Sequence, residues 1–291
     1  MSVSWTLGLP IRLGWAIAVL AMGGCQFDGG LLGKAVDPKS DNPPPSDHTP
    51  AWLLMDLATG QVSQRTRIDD LASNPAYRTS QMVFSRVSTP TSPIGTSANE
   101  PWGAVDPAQS MVAITPYYIG VFELTRGQWR SLSETTPWSE VTPTSLVGAA
   151  EDERLPACGL SFDQIQSACT AWQRGGTLAM PTAVQWEAAC RGVSSTLFSW
   201  GTRVDETTVR RFAVVDCGVA GIDGPKLVGT HEPNVFGLYD MHGNVWEWTR
   251  EGALRGGSWH DDLALARSAN ALPADRTMAH ALAGVRLIYV P

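Results

Sequence analysis

The stretch Asn234–Trp248 reads NVFGLYDMHGNVWEW and is the most informative segment of this 291-residue chain. It contains two glycines, Gly237 and Gly243, and two asparagines, Asn234 and Asn244. These residue types at such offsets favour backbone turns with positive φ angles. Aromatic side chains between them have apolar surface to bury. The segment therefore predicts a tight loop held against the protein core.

Short motifs rich in glycine and tryptophan flank this stretch on both sides. In chain order they are Ile94–Pro101, Tyr118–Trp129, Met180–Glu187 (MPTAVQWE), Phe198–Gly201 (FSWG), then Leu254–Trp259 (LRGGSW), Ala266–Asn270 (ARSAN) and Gly284–Leu287 (GVRL). In this order, over about Met82–Leu287, the segments resemble the formylglycine-generating-enzyme (sulfatase-modifying factor) family. The resemblance implies an α+β fold that is a variant of the C-type-lectin-like fold and rich in irregular loop.

Helix-start signals support the mixed α+β class. Thr125 is placed to N-cap a short helix over Arg126–Leu132. Ser161 with Gln164, and Thr182 with Gln185, have the spacing of capping boxes. Glycines at 175–176 and 192 follow the two later helices and predict their ends. No further long helix is predicted after Gly192. Two or three short helices therefore accompany the strands.

Apolar runs predict the strands and help to divide the chain into segments. Strands are expected at Trp52–Leu57, Met82–Val87 and Val112–Ile114. Residues 51–81 are predicted to be an N-terminal extension that packs on the domain. Residues 82–291 are predicted to form the family domain itself.

The first 25 residues have the pattern of an export signal. Arg12 is followed by the apolar run Leu13–Met22, which is too short to span a bilayer as a helix. Gly23 and Gly24 then precede Cys25, so residues 22–25 resemble a bacterial lipobox, in which the cysteine is acylated. An ordinary cleaved signal with a coincidental cysteine is the alternative. The lipobox interpretation predicts an exported, lipid-anchored protein of the bacterial cell envelope.

Residues 26–50 are expected to form a disordered linker, because their prolines, glycines and small polar residues cannot bury a core. Gln26, rather than aspartate, follows Cys25, and by resemblance to Gram-negative sorting patterns this favours the outer membrane. Hydrophobic residues make up 43% of the chain and charged residues 17%, a balance too polar for a multi-span membrane protein. The net charge is −7 and no basic run is present, which excludes nucleic acid as a natural partner.

The family resemblance also implies a copper site, which this sequence lacks. The oxidases of the family convert a substrate cysteine to formylglycine with copper held by two cysteines, three and eight residues after the serine of the Gly-Gly-Ser motif. Counted from Ser258, those positions are Asp261 and Ala266. Because Cu(I) prefers soft thiolate ligands, a carboxylate and a methyl group are not substitutes. The copper-dependent oxidase reaction is therefore predicted to be absent.

Three residues of metal-binding type follow Ser258 closely in the sequence. His260, Asp261 and Asp262 are adjacent, and in an extended segment at most two of them could face one ion. A solvated polar loop is the favoured interpretation. By resemblance, Trp246, Ser258, Trp259 and His260 are expected to line any pocket that remains, although core packing is the simpler role for Trp246.

Calcium is the other ion that the family resemblance implies. By position, the site would use the carboxylate of Asp240 and the carbonyls of Met241, Gly243 and Val245. Hard oxygen ligands suit Ca²⁺. The alternative is that Asp240 caps a turn. A second family site expects asparagine where Val214 stands, so that site is predicted to be lost.

After Cys25 the chain has four cysteines, Cys158, Cys169, Cys190 and Cys217. Four cysteines in an oxidising compartment allow three pairings, and the sequence does not choose among them. Cys169 lies on the apolar face of its predicted helix, where a buried free thiol is as reasonable as a disulfide.

These observations favour an envelope-anchored, non-catalytic binding or accessory module whose ligand is an unknown protein or glycan. The competing interpretation is an enzyme of the family that modifies exported proteins, by cysteine-to-formylglycine oxidation or a related reaction, with atypical ligands. A purely structural envelope protein is the third.

Overall fold

The computed structural model describes residues 51–98, 100–102, 107–141, 152–216, 224–277 and 279–291. The predicted signal peptide, Cys25, the linker 26–50 and Cys217 lie outside these residues. Among the described helices, none has the length and apolar character needed to cross a membrane.

The described helices are short. They are α1 (Arg126–Leu132), α2 (Trp138–Val141), α3 (Phe162–Ala171), α4 (Ala183–Arg191) and α5 (Glu206–Phe212), with one 3-10 turn at Pro75–Arg78. The strands are β1 (Trp52–Asp56), β2 (Val62–Arg65), β3 (Gln81–Val87), β4 (Thr91–Ile94), β5 (Ser110–Ala113), β6 (Tyr117–Gly120), β7 (Thr177–Ala179), β8 (Trp246–Trp248), β9 (Ala253–Arg255), β10 (Ala271–Pro273), β11 (Ala283–Gly284) and β12 (Ile288–Val290). The α+β class predicted from the sequence is confirmed.

Two main sheets organise the domain. The larger has the order β2-β1-β3-β6-β12-β7 and the smaller has the order β10-β9-β8-β11, while β4 and β5 form a separate hairpin. The C-terminal strand β12 lies between β6 and the edge strand β7 and pairs antiparallel with both. Only one pair in these sheets, β11 with β8, is parallel. The segment 51–81 supplies β1 and β2, so it is joined to the domain by backbone hydrogen bonds of the large sheet.

The capping residues fix where three helices begin. At Thr125, Ser161 and Thr182, the hydroxyl accepts from the N–H of the glutamine three residues later. The side-chain oxygen of that glutamine in turn accepts from the N–H of the capping residue. Each reciprocal pair satisfies two backbone donors that the helix itself leaves unbonded. Helix α4 ends at Gly192, whose φ of 66° favours glycine. Helix α3 ends earlier than its glycine pair suggests, with Trp172 as the C-cap.

Two helices fall outside the sequence prediction. Helix α5 is capped by Asp205, whose carboxylate accepts from the N–H of Thr208 at 2.9 Å. It is only seven residues long and buries just Val209 and Phe212. Helix α2 is a single turn that begins at Trp138. Such short elements carry too few apolar positions for a periodic pattern to be recognised.

Candidate functional site

The segment that carries the two family copper positions forms a tight turn rather than an extended strand. The N–H of Asp261 donates to the carbonyl of Ser258 at 3.1 Å. In the other direction, the Asp261 carboxylate accepts from the Ser258 N–H at 2.9 Å and from its hydroxyl. The turn thus directs Asp261 back toward the protein.

Burial raises the pKa of Asp261, while hydrogen bonds from Ser258 and from the Trp246 side chain act in the opposite direction. His260 and Asp262, by contrast, are exposed. The solvated polar loop predicted for this tripeptide therefore describes His260 and Asp262 but is wrong for Asp261. The physical reason is the turn, which replaces the alternation expected of an extended segment.

The predicted pocket residues are mostly core residues. Trp246, Ser258 and Trp259 are 3%, 0% and 7% exposed, whereas His260 lies at the surface with its ring 5.2 Å from that of Trp259. The structure thus brings Trp246, Ser258 and Asp261 together and leaves His260 outside the group.

Ala266, the second family copper position, is fully buried in a small apolar cluster with Phe198 and Val209. Its backbone is tightly enclosed, because a Cβ atom on Gly257 would lie 3.1 Å from the Ala266 Cα. Gly257 has a φ of 75° and thereby allows this approach. The position is part of the packed interior.

The carbonyl of Ala266 is bound by a histidine of the central loop. His242 Nδ1 lies 2.7 Å from this carbonyl oxygen, so Nδ1 carries the proton. The other ring nitrogen, Nε2, then accepts from the Ser199 N–H at 3.2 Å and lies 3.0 Å from the Ser199 hydroxyl. Burial lowers the pKa of His242 to about 4, against the effect of the Ala266 hydrogen bond. His242 is a neutral cross-link between two loops.

The loop 240–245 owes its shape to two residues other than glycine with left-handed backbone. Asp240 has a φ of 57° and Asn244 a φ of 61°. The side chain of Asn244 donates to Glu123 at 2.5 Å and accepts from the Lys226 N–H at 2.8 Å. Glu123 also accepts from the Val245 N–H at 3.1 Å. Aspartate and asparagine tolerate this conformation better than other side chains, and hydrogen bonds here stabilise it.

Asp240 is nearly inaccessible, at 3% exposure, and only one of its carboxylate oxygens is bonded. Oδ2 accepts from the Gly229 N–H at 2.6 Å, whereas Oδ1 has no hydrogen-bond partner among the described residues. The ring nitrogen Nδ1 of His231 lies 3.8 Å from Oδ1. Burial raises the pKa of Asp240. An unsatisfied buried carboxylate oxygen is costly, and a bound cation would compensate it.

A buried ion pair fixes this loop to the C-terminal motif. Arg286 donates to Glu247 at 2.8 Å and to the carbonyls of Gly120 and Val121. Glu247 also accepts from the Trp186 indole N–H at 2.6 Å. Both charged side chains are at most 1% exposed. Removing either partner would leave an uncompensated buried charge, which makes the network a structural element of the loop.

Glu123, Gly229 and His231 surround the loop 240–245 but were not predicted from the sequence as part of it. They come from distant segments, and only Glu123 lies within one of the quoted motifs. Burial, together with the nearby Asp240 and Glu247, raises the pKa of Glu123. An isolated acidic residue between apolar positions is the one sequence signal that could have indicated this buried carboxylate.

The three described cysteines, Cys158, Cys169 and Cys190, are buried free thiols. Burial raises the pKa of Cys169 and of Cys190 to about 12. No disulfide joins these three residues to one another. Buried thiols of high pKa are poor nucleophiles and poor metal ligands.

The fold and these motifs define the class of protein: it contains a domain of the sulfatase-modifying-factor type. The sulfatase-modifying factor enzyme 1-like domain matches residues 70–290, and the chain belongs to this family. The match begins inside the N-terminal segment 51–81.

The curated relatives include both active and inactive members. The mouse formylglycine-generating enzyme is 33% identical over 105 residues, covering 33% of this chain and 27% of the relative. The mouse inactive C-alpha-formylglycine-generating enzyme 2 is 35% identical over 129 residues, covering 39% and 41%. The formylglycine-generating enzyme of Mycobacterium tuberculosis is 37% identical over 86 residues, covering 27% and 29%. The matched regions thus span less than half the length of these relatives.

Solved structures agree on the fold. PvdO from Pseudomonas aeruginosa superposes with a TM-score of 0.61 at 18% identity, covering 72% of this chain and 94% of that one. Treponema denticola variable protein 1 gives a TM-score of 0.59 at 18% identity, covering 72% and 96%. These similarities establish the formylglycine-generating-enzyme-type variant of the C-type-lectin-like fold.

The two metals that the family implies fit this chain differently. Asp261 and Ala266 provide one carboxylate and no thiolate, and this donor set does not fit Cu(I). The described residues contain no group of three or more His, Cys, Asp or Glu side chains that could hold a metal ion. A calcium site made of one carboxylate and backbone carbonyls needs no such group, and the unbonded oxygen of Asp240 fits it.

Proposed function

We propose that this protein is a non-catalytic binding or accessory module of the bacterial cell envelope, built on a formylglycine-generating-enzyme-family domain. One observation carries the proposal. At the positions of the copper cysteines, Asp261 is hydrogen-bonded to Ser258 and Ala266 is packed in the interior. Neither position presents a thiolate. The resemblance to an inactive paralogue supports a domain that keeps the fold without the oxidase reaction.

The ligand we propose is a protein or a glycan of the envelope, because the family fold presents irregular loops on a stable core. The competing candidate is an enzyme that modifies exported proteins. The similarity to active formylglycine-generating enzymes supports it. The two candidates differ in what they predict for substrate chemistry.

A conversion assay separates them. The full-length protein is incubated with copper, oxygen and a Cys-x-Pro-x-Arg peptide, and the peptide is analysed by mass spectrometry. An active formylglycine-generating enzyme serves as the positive control. If the protein is a binding module, the peptide stays unmodified. Catalytic formation of formylglycine would contradict this proposal and support the enzyme candidate.

We also propose that a calcium ion stabilises the central loop. Asp240 would bind it through Oδ1, together with the carbonyls of Met241, Gly243 and Val245. The ion would supply positive charge next to a buried carboxylate. Thermal unfolding with calcium and with chelator tests this: calcium is expected to raise the Tm of the wild type but not that of Asp240→Asn. Equal Tm values for the wild type with and without calcium would contradict the site.

The anchoring proposal places the domain on the outer membrane through an acylated Cys25. Fractionation of cells that express the full chain tests it, with Cys25→Ser as the variant. The wild type is expected in the outer-membrane fraction and the variant in the soluble or inner-membrane fractions. The same distribution for both proteins would contradict lipidation at Cys25.

A further inference from the structure

A groove of about 440 Å³ lies between the C-terminal end of α1 and the outer side of α3. Its lining includes Trp129 and Leu132 from α1 and Ser133 and Thr135 from the segment that follows it. Asp163 and Ala171 are among the residues that α3 contributes. None of these residues belongs to the turn 258–261 or to the loop 240–245. The groove is therefore a separate feature of the molecule.

The polar groups of Trp129, Ser133 and Thr135 at the groove are hydrogen-bonded to one another, and the remaining surface on this side is apolar. The Trp129 indole N–H donates to the Thr135 hydroxyl at 3.1 Å, and that hydroxyl lies 3.0 Å from the hydroxyl of Ser133. Trp129 is 1% exposed, so its ring packs beneath the groove and only its indole N–H borders it. Leu132 and Ala171 add aliphatic surface. Such a surface suits an unbranched hydrocarbon stem.

The charge of the groove is negative. Asp163 is the one charged side chain in the lining, and its carboxylate forms no hydrogen bond or ion pair with any described residue. No lysine, arginine or histidine belongs to the described lining. A cation is the complementary ligand.

We propose that this groove binds the side chain of a lysine or arginine from a partner protein, with the stem over Leu132 and Ala171 and the charged head at Asp163. A lysine or arginine side chain joins a hydrocarbon stem to a cationic head, which matches the two parts of the groove. The inference does not depend on the proposed function at Asp261. An enzyme or a binding module could each use such a site.

NMR of the full-length chain carrying ¹⁵N-labelled tryptophan tests the proposal, because the Trp129 indole N–H borders the groove. Trp129→Phe identifies its signal. The probes are the peptide Ac-Gly-Lys-Gly-NH₂, its norleucine counterpart without the charge, and free cadaverine. The lysine peptide is expected to shift the Trp129 signal saturably, and the norleucine peptide to bind more weakly.

Asp163→Asn should weaken the binding of the lysine peptide about two- to five-fold, as expected for a partly exposed ion pair. Asp262→Asn, which alters an exposed carboxylate elsewhere, should leave it unchanged. A bulky Ala171→Trp should abolish the shift by filling the groove. Equal binding of the lysine and norleucine peptides, no shift at Trp129, or no effect of Asp163→Asn would overturn the proposal. Tighter binding of cadaverine than of the peptide would overturn the assignment to a protein partner.

Discussion

At the scale of single residues, Asp261 occupies one of the two positions that the family resemblance assigns to copper-binding cysteines, and it is part of the local hydrogen bonding there. Its carboxylate satisfies the N–H and hydroxyl donors of Ser258, which is 0% exposed. The residue has thus become part of the local structure. This outcome could not be predicted from the sequence, because the adjacent His260 and Asp262 have similar polarity and only the turn distinguishes them.

Replacement of Asp261 by alanine should therefore lower the free energy of unfolding by about 1–3 kcal/mol, since the buried donors of Ser258 lose their acceptor. Asp261→Asn keeps one accepting oxygen for the Ser258 donors and should therefore lose less stability than the alanine variant. Urea unfolding at pH 7 measures both. An alanine variant as stable as the wild type would show that the turn does not need this acceptor.

His242 makes the free energy of unfolding depend on pH, in a direction that its pKa defines. The ordinary pKa of histidine is 6.5, and in the folded protein the pKa of His242 is about 4. Between these values the unfolded state binds the proton and the folded state does not, so stability falls as the pH falls from about 6.5 to about 4. The loss is on the order of 3 kcal/mol, since one pKa unit corresponds to about 1.4 kcal/mol.

The variant His242→Gln isolates this effect from that of the buried carboxylates, whose raised pKa values act with the opposite sign. Unfolding free energies of both proteins are measured from pH 4 to pH 7. The wild type should lose more stability than the variant toward low pH. Parallel curves would mean that His242 titrates normally in the folded protein.

At the scale of elements, the helix starts were predictable because their signals are local. Thr125, Ser161 and Thr182 cap their helices with the predicted glutamine partners. Helix α5 was missed because its cap, Asp205, precedes only two buried residues. The pairing of β12 with β6 and β7 joins residues more than one hundred positions apart, and no local pattern encodes it.

The capping box of α4 should make a measurable contribution. Thr182→Ala removes the oxygen that accepts from the Gln185 N–H and should cost about 1 kcal/mol of unfolding free energy. Thr182→Ser is the matched control and should retain most of the stability. Chemical unfolding of the three proteins decides the point, and an alanine variant equal to the serine variant would argue against a role for the cap.

At the scale of the whole molecule, the central loop, the Arg286–Glu247 pair and the C-terminal strand form one connected interior. The motifs that identify the family are mostly structural: Trp246, Glu247, Arg286 and Ser258 are each at most 3% exposed. Family membership could therefore be predicted from the sequence with the fold. The copper-dependent activity that the family resemblance implies depends on two other positions, 261 and 266. This chain has aspartate and alanine there instead of cysteine.

This chain has the family fold, and we propose that it lacks the copper chemistry of the family's oxidases. A competitive titration of the full-length protein with Cu(I), against a chelator of known affinity, tests it most directly. The double variant Asp261→Cys/Ala266→Cys is the matched comparison, since it restores both thiolates. We predict no stoichiometric, high-affinity Cu(I) binding by the wild type. Tight binding of one Cu(I) per wild-type chain would contradict it.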